Sequence, residues 1–161
     1  GTIRDLMLGV NPFWMTNSIY FICCGLAVLW VMAYGKYLIR QKNTLFIFDT
    51  IGLALFNVIG IEKTLNLGFP YWTAITMGTI TGAAGGVIRD VFINEVPLIF
   101  RKEIYALACV AGGLVYMLCD RLGMSAEVNA LLSSFTVIII RVLAVKYHWI
   151  LPRLKGEDDL T

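Results

Sequence analysis

The stretch Thr81-Gly82-Ala83-Ala84-Gly85-Gly86-Val87-Ile88-Arg89-Asp90 places four small residues shortly before an arginine and an aspartate, inside the apolar run 71–93. The four small residues remove side-chain bulk and the two glycines among them weaken a helix, so the stretch predicts a kink or break near residues 83–86. Backbone groups freed by a break are tolerated at membrane depth where they line a wet cavity. Arg89 and Asp90 would be costly in lipid unless paired. The stretch therefore predicts a polar site within a membrane-spanning helix.

The composition of the whole chain agrees with a lipid environment. The 161 residues are 58% hydrophobic and 15% charged, with a mean hydropathy of +0.76 and a net charge of +2. Soluble domains contain about half apolar residues and about a quarter charged ones. A soluble domain of this size could not bury so much apolar surface, and no basic patch points to nucleic acid. The composition predicts an all-α integral membrane protein.

Five apolar runs approach the length of about 20 residues that a bilayer span requires. They are 18–39, 45–61, 71–93, 104–119 and 128–145. Residues 1–10 are interpreted as the end of a further helix whose beginning lies outside this chain. One transmembrane domain, 1–161, accommodates all these segments.

An internal repeat organises the runs. Gly1-Thr-Ile-Arg4-Asp5 matches Gly86-Val-Ile-Arg89-Asp90 at an offset of 85, and eight positions are identical across 1–24. Such repeats are typical of transporter and channel folds. The predicted division is 1–43 for the end of a first three-helix repeat, 44–125 for the second, 126–152 for the last helix and 153–161 for a tail.

Repeats of three helices cross the membrane an odd number of times, so the second copy is predicted to be inverted relative to the first. The resulting architecture has seven helices, two inverted three-helix repeats plus one, with the N-terminal part missing from this chain. The two Arg-Asp motifs would approach the membrane midplane from opposite faces. They are predicted to form one coupled site.

Lysine and arginine placement predicts the orientation, since cytoplasmic loops are enriched in both. Two basic residues, Lys63 and Arg121, fall on one side, and Arg4, Arg89 and Arg141 lie within spans. The other side holds Lys36, Arg40, Lys42, Arg101, Lys102, Lys146, Arg153 and Lys155. The C-terminal tail is therefore predicted to be cytoplasmic, in a bacterial or archaeal inner membrane.

A second motif precedes the glycine-rich stretch: FD-x-x-GLALF-x-x-x-G-x-x-K, from Phe48-Asp49 through Gly52-Leu53-Ala54-Leu55-Phe56 and Gly60 to Lys63. Together with the two copies of the glycine and Arg-Asp motif, it resembles the prokaryotic branch of the trimeric intracellular cation (TRIC) channel family. The resemblance runs from residue 1 to about residue 152. One departure is Ala84, which replaces the first of the family's three glycines.

The resemblance implies a homotrimer that conducts potassium or another monovalent cation, with a separate permeation path in each protomer. Two glycine-kinked helices would line that path, and bacterial relatives are suspected glycine transporters. The implied pore and kink residues are Gly1, Arg4, Asp5, Gly85, Gly86, Arg89 and Asp90.

Three polar residues of the second motif are further candidates for a pore or gate. Asp49 lies near the start of its run, where it could equally satisfy free helix amides. Lys63 could face a gate or extend to the interface. Asn57, amid apolar neighbours, is expected to hydrogen-bond to another helix. Arg141 in the last run is expected either to extend to the cytoplasmic interface, which is favoured, or to pair with a carboxylate within the bundle.

Several functional classes remain to be separated at this stage. The leading one is a potassium channel, and the alternative is a secondary transporter of a small amino acid such as glycine, because broken helices suit both. A scaffold would leave the paired motifs unexplained. An enzyme is not expected, because HExxH, GxSxG and paired catalytic aspartates are all missing from the sequence. The cysteines and the single histidine predict neither a metal nor a cofactor.

Overall fold

A computed structural model describes residues 1–38, 42–97, 99 and 104–147. Within these residues all regular structure is helical, which confirms the all-α prediction. The helices are α1 (Thr2–Met7), α2 (Phe13–Thr16), α3 (Ile19–Leu38), α4 (Lys42–Asn66), α5 (Tyr71–Phe92), α6 (Ala106–Arg121) and α7 (Ala126–Lys146). The tail 153–161, with Arg153 and Lys155, lies outside the described residues, as do Arg40, Arg101 and Lys102.

The five predicted spans correspond to the helices α3 to α7, and the predicted end of a sixth helix corresponds to α1. The short helix α2 was not predicted. Judged by length and composition only, one of the described helices is long and apolar enough to cross a membrane. This is α7, with 21 residues and a mean hydropathy of 2.1. Helix α3 is apolar over the shorter stretch Ile19–Tyr34. Helices α4 and α5 carry charged residues whose placement is described below.

The internal repeat is visible in how α1 and α5 end. Gly9 and Asn94, 85 residues apart, both adopt left-handed backbone conformations, with φ of 69° and 57°. In each copy the next residue's N–H donates to the carbonyl oxygen of the motif's aspartate, at 2.9 Å. Glycine and asparagine are the residues that most readily adopt this helix-ending conformation. The offset found in the sequence therefore also relates the two backbones, while the inversion remains a prediction.

Of the predicted kink or break near residues 83–86, the break is not found, because α5 is continuous from Tyr71 to Phe92, and the kink stays a prediction. Its small residues instead allow α5 to lie close against α4. A Cβ added to Gly78 would lie 2.7 Å from the Asn57 carbonyl oxygen, and one added to Gly82 would lie 2.9 Å from the Leu53 carbonyl oxygen. Small residues four apart are a common device for close helix packing in membranes.

Helix α4 lies against α5, α6 and α7, so it is the central element of the bundle. Asn57, in its middle, is fully buried and its Nδ2 donates to the Cys109 carbonyl oxygen of α6 at 3.1 Å. This confirms the expected hydrogen bond to a neighbouring helix. Ser133 of α7 similarly donates to the Gly112 carbonyl oxygen of α6, at 2.8 Å. These bonds fix the register of the helices that carry the charged residues.

Candidate functional site

One face of α4 carries four residues of the second motif, Asp49, Gly52, Phe56 and Lys63, together with Ile59. Their spacing of three and four residues places them in one row along a helix. Asp49 and Lys63 are fourteen residues apart, about 21 Å at 1.5 Å per residue. Charged groups therefore lie at both ends of this row, and apolar residues lie between them.

The first group of charges, here called the Asp49 cluster, comprises Asp49, Arg89, Asp90, Tyr105 and Arg141. Arg89 pairs with both carboxylates, its Nη1 lying 2.8 Å from Asp49 Oδ1 and its Nη2 2.8 Å from Asp90 Oδ1. The Tyr105 hydroxyl donates to Asp49 Oδ1 at 3.3 Å. Arg89 is about one-third exposed, whereas both carboxylates are largely buried. The cluster thus ties together α4, α5, α7 and the start of α6.

Arg141 does not extend to an interface, so the favoured expectation is wrong, and the alternative of pairing with a carboxylate in the bundle is found. Its side chain is fully buried, and its Nη2 lies 3.9 Å from Asp49 Oδ2. The guanidinium carbon lies 4.7 Å from the centre of the Tyr105 ring and 5.4 Å from that of Phe46, distances typical of cation–π contacts. The aromatic rings and the carboxylate offset the cost of burying this charge. Arg141 therefore belongs to the Asp49 cluster and contacts Asp49 on its buried side.

The second group, here called the Asp5 cluster, comprises Arg4, Asp5 and Lys63. Arg4 Nη2 lies 2.7 Å and Lys63 Nζ 2.9 Å from the same oxygen, Asp5 Oδ1. Asp5 is fully buried and Arg4 nearly so, whereas Lys63 is 31% exposed. Lys63 thus reaches the repeat motif on α1, and Asp5 holds two cations with one carboxylate.

The two Arg-Asp motifs have the same local geometry. In each copy the arginine Nε donates to Oδ1 of the following aspartate, at 2.8 Å for Arg4 and 3.0 Å for Arg89. Helix α4 then supplies a different third partner to each motif, Lys63 to one and Asp49 to the other. The expectation that the motifs form a single site is corrected: they lie in separate clusters at opposite ends of α4.

This separation predicts additive effects on stability. Asp5→Asn and Asp90→Asn each remove a buried, ion-paired carboxylate, which typically costs about 3–5 kcal/mol. Because sites more than about 10 Å apart seldom interact, the double variant should match the sum within about 0.5 kcal/mol. Unfolding of the three variants in detergent micelles measures this. A clear departure from the sum would mean that the clusters communicate and that the single-site interpretation should be restored.

The three candidate glycines differ in their surroundings. A Cβ added to Gly85 would meet nothing within 4 Å, so this residue faces open space. One added to Gly86 would lie 2.5 Å from the Tyr105 hydroxyl, and one added to Gly1 would overlap the Phe13 ring. Gly85 therefore lines a void, whereas Gly86 and Gly1 allow close packing.

Three cavities lie along the row of motif residues on α4. One of about 270 Å³ borders Asp49 and Arg89, and one of about 310 Å³ borders Arg4 and Lys63. A third, of about 290 Å³, lies between α1 and α5. Among the described lining residues, Phe56 alone borders all three. The cavities and the two clusters lie one after another along one face of α4, with charged groups at the ends and apolar residues in the middle; this row of spaces is here called the path.

A further cavity of about 560 Å³ lies apart from this path, beside Glu62, Tyr71 and Asp120. Its polar groups are bonded to one another: Tyr71 donates to Asp120, and Tyr116 donates to Glu62 at 3.4 Å. These contacts stabilise the ends of α4, α5 and α6. The chain's charged motif residues lie elsewhere.

Comparison with known proteins identifies this fold. The family profile described as "Glycine transporter" matches residues 46–121. A structure solved to explain conductance through TRIC cation channels is 34% identical, with a TM-score of 0.84 over 98% of this chain and 78% of the other. The TRIC channel orthologue from Rhodobacter sphaeroides is 32% identical, with a TM-score of 0.85 over 92% of this chain and 77% of the other. The fold is thus that of an α-helical membrane protein of the TRIC type.

Curated relatives identify the family itself. The inner membrane protein YadS of Escherichia coli K12 is 35% identical over 99% of this chain and 78% of its own length. A Vibrio cholerae relative is 38% identical over 94% of this chain, which spans 64% of that protein's length. Both are described as UPF0126 membrane proteins. The chain belongs to the UPF0126 family of membrane proteins. Its fold is shared with solved TRIC cation channels, and residues 46–121 match the family profile described as "Glycine transporter".

Proposed function

We propose that the protein is a monovalent cation channel for potassium, with one permeation path in each protomer. The observation that carries the proposal is the path beside α4. At each end of the path, an ion-paired carboxylate lies next to a cavity. Its fold is shared with solved TRIC cation channels at more than 30% identity. The residues of the path are those of the Asp5 and Asp49 clusters, with Gly85 and Phe56 between them.

The Asp5 cluster supports cation passage by exchange. Lys63 Nζ stands 2.9 Å from Asp5 Oδ1, which is a position for a single positive charge. Lysine carries a compact charge on a flexible stem, and Lys63 is the exposed member of the cluster. When its ammonium swings away, Asp5 Oδ1 offers the incoming cation the same position. Arg4, nearly fully buried, remains and fixes the carboxylate.

The Asp49 cluster has the same arrangement at the other end. Arg89, the most exposed of its cations, borders the cavity and shares its guanidinium between two carboxylates. Arg141 lies behind Asp49, away from the cavity. In this proposal the arginines hold the carboxylates in place beside the path, which is how cationic residues can occur in a cation pathway.

The assembly and orientation follow from the same proposal. The likeness to proteins described as trimeric supports a homotrimer. Contact with membrane lipid and the lack of a nucleic-acid partner are parts of the proposal that rest on the sequence alone. The excess of basic residues supports a cytoplasmic C-terminal tail, and relatives described as inner membrane proteins support that membrane. The seven-helix protomer with inverted repeats is part of this proposal.

A second candidate function is transport of a small amino acid such as glycine. The matching family profile, described as "Glycine transporter", favours it. The Asp5 cluster could accommodate a zwitterion, with the substrate's ammonium on Asp5 and its carboxylate on Lys63. Carriers of this kind bind substrate near the midplane and saturate, whereas a channel conducts without a tight binding step.

Flux through the full-length protein in liposomes separates the two functions. We expect potassium efflux down its gradient, measured with a potassium-sensitive dye, and no saturable uptake of radiolabelled glycine. Empty liposomes and liposomes with a Gly85→Leu variant are the controls. Saturable glycine uptake without potassium flux would favour the carrier, and the absence of both activities in folded protein would overturn the proposal.

A further inference from the structure

Phe56 lies at the midpoint of the motif row on α4, seven residues from Asp49 and seven from Lys63. At 1.5 Å per residue it is about 10 Å from the charged end on either side. Its neighbours in the row, Gly52 and Ile59, are uncharged. An ion that passed along this face would therefore leave one carboxylate before it reached the other, and would meet Phe56 in between.

The cavities give Phe56 its distinctive position. It borders the Asp49-side cavity, the Lys63-side cavity and the cavity between α1 and α5, which makes it a wall that these spaces share. Gly85 of α5, with empty space where its Cβ would be, borders two of the same cavities. Midway along the path, one side is therefore formed by an aromatic ring on α4 and the other by a glycine of α5 that has no side chain.

The ring itself leans along α4 toward the Asp49 end. Its Cε2 lies 3.9 Å from the place that a Cβ of Gly52 would occupy. Long helical side chains point back toward the helix N-terminus in this way. Because Gly52 has no side chain, the ring can rest against the backbone there, and rotation about the Phe56 side-chain torsions would carry it across the space in front of Gly85.

We propose that Phe56 is the apolar gate of the pathway, a ring that separates the two charged cavities and sets the rate at which ions cross between them. The inference rests on the proposed channel function and adds the residue that controls it. Narrow hydrophobic constrictions in channels stop ions by excluding water, and enlarging them lets water and ions through. No charge at Phe56 is needed for this control.

Flux measurements with two variants of opposite size test the gate. Phe56→Ala should raise initial potassium flux by roughly tenfold, the rate change that corresponds to about 1.4 kcal/mol of barrier. Phe56→Trp should lower it below the wild-type rate. Leu55→Ala is the matched control, because Leu55 is also 53% exposed and neighbours Phe56, yet is not among the residues that line these three cavities. Equal flux in wild type and in both Phe56 variants would overturn the proposal.

A thiol measurement tests the same gate without requiring flux. Phe48→Cys, in a background with the native cysteines replaced by alanine, places a thiol in the Asp49-side cavity without occupying the space in which the ring rests. A positively charged methanethiosulfonate reagent, confined to the side of the membrane on which Lys63 lies, should modify it much faster when Phe56→Ala is also present. Equal modification rates in the protein that keeps Phe56 and in the one that carries Phe56→Ala would contradict the gate. Wild-type protein that conducts no potassium would count against the channel function, while the thiol result would still decide the gate.

Discussion

Leucine at position 85 is expected to abolish potassium flux while leaving the helical fold intact. Gly85 faces open space in α5, so an added side chain has room to enter the cavities without displacing a neighbour. Leucine is also the better helix former, by roughly 0.8 kcal/mol relative to glycine. Circular dichroism, size-exclusion chromatography and liposome flux on the same preparation measure fold and function together.

Gly78→Leu provides the contrasting variant, because it lies on the same helix but faces α4. A Cβ there would lie 2.7 Å from the Asn57 carbonyl oxygen, a backbone atom that cannot move away cheaply. We expect this variant to lose the packing of α4 against α5 and to aggregate on purification. A folded Gly85→Leu variant with wild-type flux would show that these cavities are not part of the pathway.

The second large effect is expected at Asp49, whose carboxylate pairs with Arg89 and faces the buried Arg141. Asp49→Asn removes that negative charge and should lower the free energy of unfolding by about 3–5 kcal/mol, as is typical when one partner of a buried pair is removed. Replacing Arg141 by methionine in the same chain should restore much of the loss, because the buried cation is then gone as well. Denaturation in mixed micelles provides the comparison.

Glu127→Gln is the control for this experiment, because it removes a carboxylate from an exposed position in the first turn of α7. Exposed charges usually change stability by less than about 0.5 kcal/mol. If Asp49→Asn were as mild as Glu127→Gln, the Asp49 cluster would not contribute to holding α4, α5 and α7 together. If the double variant with Arg141→Met were no more stable than Asp49→Asn alone, Arg141 would not contribute to the stability of the Asp49 cluster.

The long apolar helices were predictable because the length of an apolar run is encoded locally. The Arg4-Asp5 and Arg89-Asp90 pairs were also predictable, since their partners are adjacent in the chain. Their third partners were not, because Lys63 is 58 residues from Asp5, and Asp49 is 40 residues from Arg89. Only the packing of α4 brings those side chains together.

Two errors have a common physical origin. The two glycines at 85–86 have a low helix propensity, but propensity is a weak preference that the rest of the fold can override, and α5 stays helical through them. Arg141 was assigned to an interface because charge in an apolar run is costly, and its compensating groups, Asp49 and the Tyr105 ring, lie on other helices. Phe56 belongs to the second motif, but its proposed role depends on the cavities, which a sequence does not display.

The adjacency of each arginine to its own aspartate has a consequence for how the chain enters the bilayer during synthesis. A segment leaves the translocation machinery before its later neighbours exist, and a lone arginine at mid-depth costs about 2.5–3.5 kcal/mol at that stage. Arg89 Nε already donates to Asp90 Oδ1 within a single helix. Because Asp90 is part of the same helix, it balances the charge of Arg89 as soon as α5 has been synthesised. Helix α5 can therefore enter the bilayer as a nearly neutral segment before α6 and α7 have emerged from the ribosome.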